Sequence, residues 1–299
     1  MSPDSEIELS VVVVTYNNEH EIARCLQSVL REATNLEAQI VVVDNHSEDD
    51  TVRQVETVRR RAGATKVELI SNSSNTGFTR ALNQGLRRSR GRWLLALNPD
   101  TVLHPGSVAT LLATLKSNPD IGVVAPQLLN PDGSVQPSCR RFPRRRDVVF
   151  EALGLGRLFP TSRTFNHWKM GDFDHRQRRD VDQPQGACLL FRRELLEKVG
   201  EWDEAFPMFF SDVDWCKRVR NAGYRIVFEP GAQVTHRQGA SVMQRRAQMV
   251  WSSHKSFCRY FRKHSRRVPA LSHLLSLFLV LLALPRVAWA VCAHSLRKA

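Results

Sequence analysis

Apolar positions through Ser117 fall into short β-branched runs that alternate with helical stripes. Ile7 to Val14 is one such run, and it gives way to Thr15-Tyr16-Asn17-Asn18. Ile22, Cys25, Leu26, Val29 and Leu30 then recur on the spacing of a single helix face. Gln39 to Val43 is a second run, stopping at Asp44-Asn45, and Val52, Val55 and Val58 mark a second helix. Lys66 to Ile70 precedes a helix that opens after Asn75-Thr76-Gly77. Trp93 to Leu97 ends in Asn98-Pro99-Asp100 and leads into a helix over Pro105 to Ser117. This alternation predicts right-handed βαβ units: an α/β fold with a mostly parallel central sheet flanked by helices.

The second half is less regular. Gly186 to Phe191 reads as a buried strand, followed by a helix from Arg193 to Val199 that Gly200 stops. Ser211 begins another helix, ending at Gly223, with Trp215, Val219 and Ala222 on one face. Tyr224 to Phe228 reads as a strand, Pro230-Gly231 as a turn, and Val234-Thr235-His236 follows. Arg140 to Asp182 is rich in arginine, lacks periodicity and is expected to be flexible or acceptor-facing. The aromatic group Trp202, Phe206 and Phe209-Phe210 is expected in the core.

Polar residues stand where strands end. In an open α/β sheet ligands bind beyond the carboxyl ends of the strands. Tyr16-Asn17, Asp44-Asn45 and Asn98-Pro99-Asp100 are therefore expected along one edge. The chain has no G-x-G-x-x-G after its first strand and no G-x-x-x-x-G-K-[ST], which excludes the usual dinucleotide and P-loop sites. A carboxylate-held metal is the expected partner for any phosphate.

Charge narrows the partners. Lys and Arg outnumber Asp and Glu by 43 to 30, a net +13, which calls for anionic ligands. The arginines cluster in Arg140 to Arg146, Arg176 to Arg179 and Arg262 to Arg267. Aromatics are not interleaved there as single-strand binders require, so nucleic acid is not the expected partner. The last cluster adjoins the apolar run Val268 to Leu284, and residues 266–299 read as a helical, hydrophobic and basic tail that meets an anionic membrane surface. The six cysteines lie far apart without a C-x-x-C, as reduced thiols do. Met1 to Ser10 lacks the pattern of a signal peptide, so the chain is expected on the cytoplasmic face of the inner or plasma membrane.

Taken in order, these motifs resemble a family. Thr15-Tyr16-Asn17, Asp44-Asn45, Asn75-Thr76-Gly77-Phe78 with Asn83 and Gly85, and Asn98-Pro99-Asp100 look like the family 2 inverting glycosyltransferases of the GT-A fold. More narrowly, they look like the bacterial rhamnosyltransferase branch. Gly186-Ala187-Cys188, Asp212-Val213-Asp214-Trp215 and His236 match that family's acceptor-side pattern, and Asn130 to Ser134 and Lys255 to His264 also look like the branch. The resemblance implies a GT-A domain over residues 1–265, with a nucleotide-binding half near 7–126 and an acceptor-binding half near 127–240.

The implied reaction moves a sugar, rhamnose or another deoxysugar, from a nucleoside-diphosphate-sugar to a hydroxyl of a glycan or lipid-linked acceptor in cell-envelope polysaccharide synthesis. By the same resemblance Asp100 is a ligand of Mg2+ or Mn2+, His236 a second metal or diphosphate contact, and Asp212 the general base. Thr15, Tyr16, Asn17, Asp44, Asn75, Gly77, Asn83 and Asn98 are the implied contacts to the nucleotide-sugar. Many relatives carry Glu just before the Asp that matches Asp212, where this chain has Ser211. The residue types suit these roles. A hard cation takes carboxylate and phosphate oxygens, and a helix N-terminus with Ser211 as cap would keep Asp212 ionised. Asp214, three residues on, resembles a capping-box partner. Two other readings remain: a nucleotidyltransferase with the same carboxylate-metal logic, which would not need Asp212 and His236, and a basic nucleic-acid-binding protein.

Overall fold

The structure, a computed structural model, describes residues 7–63, 65–237 and 246–264. The chain begins with β1 (Leu9–Thr15), α1 (Ile22–Glu32), β2 (Ala38–Asp44), α2 (Thr51–Arg60), β3 (Lys66–Ser71), α3 (Phe78–Arg88) and β4 (Trp93–Leu97). Next come β5 (Thr101–Leu103), α4 (Ser107–Lys116), β6 (Ile121–Leu129), β7 (Val135–Gln136) and β8 (Cys139–Arg140). The Arg-rich stretch holds α5 (Arg145–Ala152), α6 (Leu155–Leu158) and β9 (Arg179–Asp180). The remainder is β10 (Gln183–Pro184), β11 (Cys188–Arg192), α7 (Glu194–Val199), α8 (Ser211–Asn221), β12 (Arg225–His236) and α9 (Arg246–His264).

The sheet runs β3-β2-β1-β4-β11-β6-β12-β5, and its first four strands are parallel. β11 enters antiparallel between β4 and β6, and a separate β8–β10 ladder lies off the sheet. β1 is buried along its whole length, as expected of a strand covered on both faces. Val11 and Val13 pack in the cluster that holds the buried faces of α1, α2 and α4, while Val12 and Val14 pack with α3, α7 and α8. A third cluster, built from Phe206, Phe210, Val213, Tyr260 and Phe261 with Val148, seats α9 on α8 and α5.

The predicted α/β alternation is observed element by element through α4. Two expectations change. Pro230-Gly231 does not end a strand: β12 continues through it as an irregularity, its register against β6 slipping between Glu229 and Gln233. A bulge is where a strand accepts proline. The continuation carries His236 opposite Thr101 on β5. The Arg-rich stretch is also ordered rather than structureless. Arg141 makes a two-pronged ion pair with Asp172, Arg225 makes one with Asp180, and His175 is buried with Nε2 accepting the Cys139 N–H at 3.1 Å. The tail at 266–299 lies outside the described residues. Among the described residues no helix is long and apolar enough to cross a membrane.

Candidate active site

Register alone brings the first polar motifs together. Thr15 pairs with Asp44, and Val13 with Leu97, so β1, β2 and β4 end at one edge. Side chains then tie the loops to one another. The Asn17 N–H donates to Ser47 Oγ at 2.9 Å, and Asn17 Oδ1 accepts the Glu48 N–H at 2.9 Å. Asn17 has a left-handed backbone (φ 53°), a conformation asparagine tolerates. Thr15 is buried with its hydroxyl on Asn18, and Tyr16 is half-buried above it. Asp44, also buried, accepts the N–H and hydroxyl of Ser47. Asn45, expected at this edge but given no role of its own, links the third loop: its amide donates to Asn75 Oδ1 at 2.9 Å, and its Oδ1 accepts the Thr76 N–H at 3.0 Å.

Two expected nucleotide contacts are turned elsewhere. Asn83 is buried and fully engaged with Trp202: its Nδ2 donates to the Trp202 carbonyl at 2.9 Å, and its Oδ1 accepts the Trp202 N–H at 3.1 Å. Gly77 is required by its backbone (φ 87°, ψ 154°), and a Cβ there would lie 3.4 Å from the Pro207 carbonyl oxygen. The neighbour that approaches this glycine is therefore the 206–207 loop, which also takes the Thr79 N–H at 3.2 Å. Arg80 is spent on Glu204 at 2.9 Å. The aromatic residues are core, as expected: Trp202 stacks on Trp215 with centroids 3.9 Å apart.

Asp100 and His236 meet. The β5–β12 pairing sets them side by side, with Asp100 Oδ1 3.5 Å from His236 Nε2 and both nearly buried. His236 Nδ1 lies 2.8 Å from Gln136 Oε1. Gln136 Nε2 is committed as a donor to Asn130 Oδ1 at 2.9 Å, so the facing atom is a carbonyl oxygen and Nδ1 carries the proton. In its neutral form with the proton on Nδ1, His236 would present a bare Nε2 lone pair to the Asp100 carboxylate. Two electron-rich atoms facing each other fit a cation between them, with Gln136 as the outer hydrogen-bond partner that metal-bound histidines have. Among the described residues no group of three or more His, Cys, Asp or Glu gathers around a metal. Other coordination would fall to phosphate oxygens and water, as is usual for Mg2+. Gln136 was visible in the sequence only as a polar residue after the Asn130 to Ser134 turn.

Asp212 sits at the start of α8, but its cap differs from expectation. Phe210, buried and left-handed (φ 68°), precedes the helix, and Ser211 Oγ donates to the Met208 carbonyl at 3.1 Å instead of accepting a helix N–H. Asp214 likewise caps nothing. It is a fully buried hub joined to Arg218, Lys263 and His264. Asp212 Oδ2 accepts Gln183 Nε2 and the Gly186 N–H, each at 3.1 Å, and Oδ1 accepts the Val213 N–H at 2.8 Å. Burial raises the Asp212 pKa, and those N–H donors only partly oppose it. The helix terminus does not outweigh burial, so Asp212 is a stronger base than its position alone would make it.

One dipeptide joins the two sites. The Gly186 N–H donates to Asp212, and the carbonyl of the next residue, Ala187, accepts the Asn98 N–H at 2.8 Å. Asp212 and the Asn98-Pro99-Asp100 corner therefore stand at the two ends of Gly186-Ala187. A family model, Glycosyltransferase like family 2, matches residues 6–253. The chain belongs to glycosyltransferase family 2. Family 2 relatives with curated names include an N-acetylglucosaminyl-diphospho-decaprenol L-rhamnosyltransferase of Mycobacterium tuberculosis, 32% identical over 204 residues, which are 64% of this chain and 65% of that protein. The chain thus spans a little under two thirds of that relative. A low-salt glycan biosynthesis hexosyltransferase, Agl10 of Haloferax volcanii, is 23% identical over 54% of this chain and 48% of its own. Among solved structures, the mannosyltransferase PcManGT of Pyrobaculum calidifontis in complex with GDP-Man and Mn2+ is 20% identical, has a TM-score of 0.59, and covers 98% of this chain and 76% of its own. GalNAc-T7 with UDP, GalNAc and Mn2+ gives a TM-score of 0.58 at 16% identity, over 96% of this chain and 58% of its own. These likenesses establish the GT-A fold for this family 2 chain.

Proposed function

We propose that this family 2 chain transfers a sugar, rhamnose or another deoxysugar, from a nucleoside-diphosphate-sugar to a hydroxyl of a lipid-linked or glycan acceptor, with inversion at the anomeric carbon. The observation that supports the reading is the Gly186-Ala187 dipeptide, whose N–H binds Asp212, its carboxyl pKa raised by burial, and whose carbonyl binds Asn98, two residues before the Asp100 that faces His236. Thr15, Tyr16, Asn17, Asp44 and Asn75 form the tied edge on which the nucleoside lies, and Asn98 leads to the diphosphate. Asp100 and His236 would hold the divalent cation, which when bound neutralises charge growing on the leaving diphosphate. An imidazole ligand favours Mn2+ over Mg2+. Asp212 accepts the proton of the acceptor hydroxyl from the face opposite the diphosphate, the arrangement inversion requires. The M. tuberculosis relative's name, with its diphospho-decaprenol acceptor, supports a lipid-linked acceptor at the cytoplasmic face of a membrane, which the basic tail at 266–299 would meet.

Calorimetric titration of the full chain with nucleoside diphosphates, with and without Mn2+, tests the donor site. Binding is expected only with the cation, and Asp100→Ala should abolish it. Equal binding by that variant would refute the assignment.

A further inference from the structure

The β8–β10 ladder pairs Arg140 with Gln183, and Gln183 holds Asp212. One residue beyond that pair on each strand, Arg141 and Asp182 line a cavity of about 600 Å³ whose walls include neither Asp100 nor His236. Its other walls bring Lys217 and Arg220 from α8, Arg144 from the start of α5, and His264 from α9. Some of this charge is already matched: Arg141 by Asp172, and His264 by Asp214. Among the described residues Arg144, Lys217 and Arg220 carry no ion pair; Lys217 lies over the Phe142 ring at 4.5 Å, and Arg220 Nη1 donates to the Tyr224 carbonyl at 3.5 Å. The one acid on the wall, Asp182, already accepts the Phe142 N–H at 3.1 Å. Three unmatched cations around a space of this size suit an anion with more than one charge.

A second observation distinguishes the source of that anion. Among the described residues the exposed large apolar side chains are Val149, Leu153, Leu158 and Phe159, all on α5, α6 or the residues that end them. That patch begins within two turns of Arg144, so cations and exposed hydrocarbon surface are neighbours. A ligand with a sugar at Asp212, charge in the cavity and hydrocarbon over α5–α6 is amphipathic, which a nucleotide-sugar is not.

We propose that the cavity bounded by Arg144, Lys217 and Arg220 binds the diphosphate of a polyprenyl-diphosphate-linked acceptor sugar, its hydrocarbon leaving over α5 and α6. The proposal rests on the glycosyl-transfer reading and assigns that reaction its acceptor site. The geometry is consistent: the acceptor hydroxyl reaches Asp212 on one side of a sugar ring, and the anomeric diphosphate leaves on the other, past Gln183 and Arg140.

The test is binding of N-acetylglucosaminyl diphosphate carrying a short prenyl chain to the full chain, without metal. Wild type should take the probe, and Lys217→Gln and Arg220→Gln should each weaken it roughly tenfold or more, as expected for loss of a charge-assisted contact. Lys217→Arg should restore most of the loss, and metal-dependent nucleoside diphosphate binding should be unchanged in every variant. Probe binding equal to wild type in both Gln variants overturns the proposal. So does parallel loss of nucleotide binding, which would make the cavity part of the donor site. Equal weakening on phosphatidylglycerol vesicles lacking the probe would also overturn it, since the cavity would then read a headgroup. A wild type that binds the probe but no nucleotide would count against the transfer reading while supporting the cavity.

Discussion

Asp214 offers a prediction whose size follows from the contacts. Its side chain is fully buried, with Lys263 and His264 each 2.8 Å from Oδ1 and Arg218 Nε 2.9 Å from Oδ2. Burial pushes its pKa up, but hydrogen bonds from His264 and Lys263 and the charge of Arg218 outweigh it and hold the carboxyl at about 2, against 3.8 ordinarily. That depression corresponds to about 2 kcal/mol of folding stability. The folded pKa lies below the unfolded one, so the contribution is complete above about pH 4 and drains away as the pH falls toward 2. Asp214→Asn forfeits it at neutral pH and leaves the partly buried Arg218 and Lys263 facing a neutral amide, which brings the expected loss to about 3 kcal/mol. Lys263 and His264 belong to α9, so the damage should appear first as release of α9 from α8. Urea midpoints for wild type and variant at pH 7 and at pH 3, with limited proteolysis after α8, measure both effects. The gap should be wide at pH 7 and narrow in acid. Matching midpoints at pH 7, or a gap that does not change with pH, would refute the reasoning.

Other consequences can be measured directly. Asp212→Asn should lower turnover by about 10²–10⁴-fold while metal-dependent nucleotide binding persists, because only the proton acceptor is lost; its stability should barely move, since removing a desolvated charge offsets the bond to Val213. As the proposed base Asp212 would act unprotonated, and its pKa is raised, so the rate should climb with pH along a limb above the ordinary carboxylate value, and a limb at or below about pH 4 in the pH–rate profile would contradict it. Gly77→Ala forces a side chain into a backbone conformation reserved for glycine; thermal melts should show a loss of about 1–3 kcal/mol.

The parallel half of the fold was legible because buried strands and amphipathic helices each impose a spacing the sequence cannot hide. Val11 to Val14 and the Val108 to Leu115 stripe are examples. The Asp44 and Asn98-Pro99-Asp100 corner was legible for the same reason, since strand ends can be located once strands can. What could not be read depended on pairing between distant segments. Nothing local says that β12 runs through Pro230-Gly231 to bring His236 to Asp100, that Gln136 fixes its tautomer, or that Gln183 holds Asp212. Asn83 shows the converse: a polar residue on the correct helix, near the correct motif, turned by tertiary contact toward Trp202. Asp214 has the spacing of a cap, yet a helix more than thirty residues later claims its charge.

The antiparallel entry of β11 has a mechanical corollary. A single backbone link ties both the proposed base, Asp212, and the corner proposed to hold the donor, so their spacing is tied to one dipeptide rather than to two independently mobile loops. Drift in the seat of that strand would carry both anchors the same way and leave their separation unchanged. Changes of sugar or acceptor preference can then accumulate in the surrounding loops without detuning the alignment on which transfer depends.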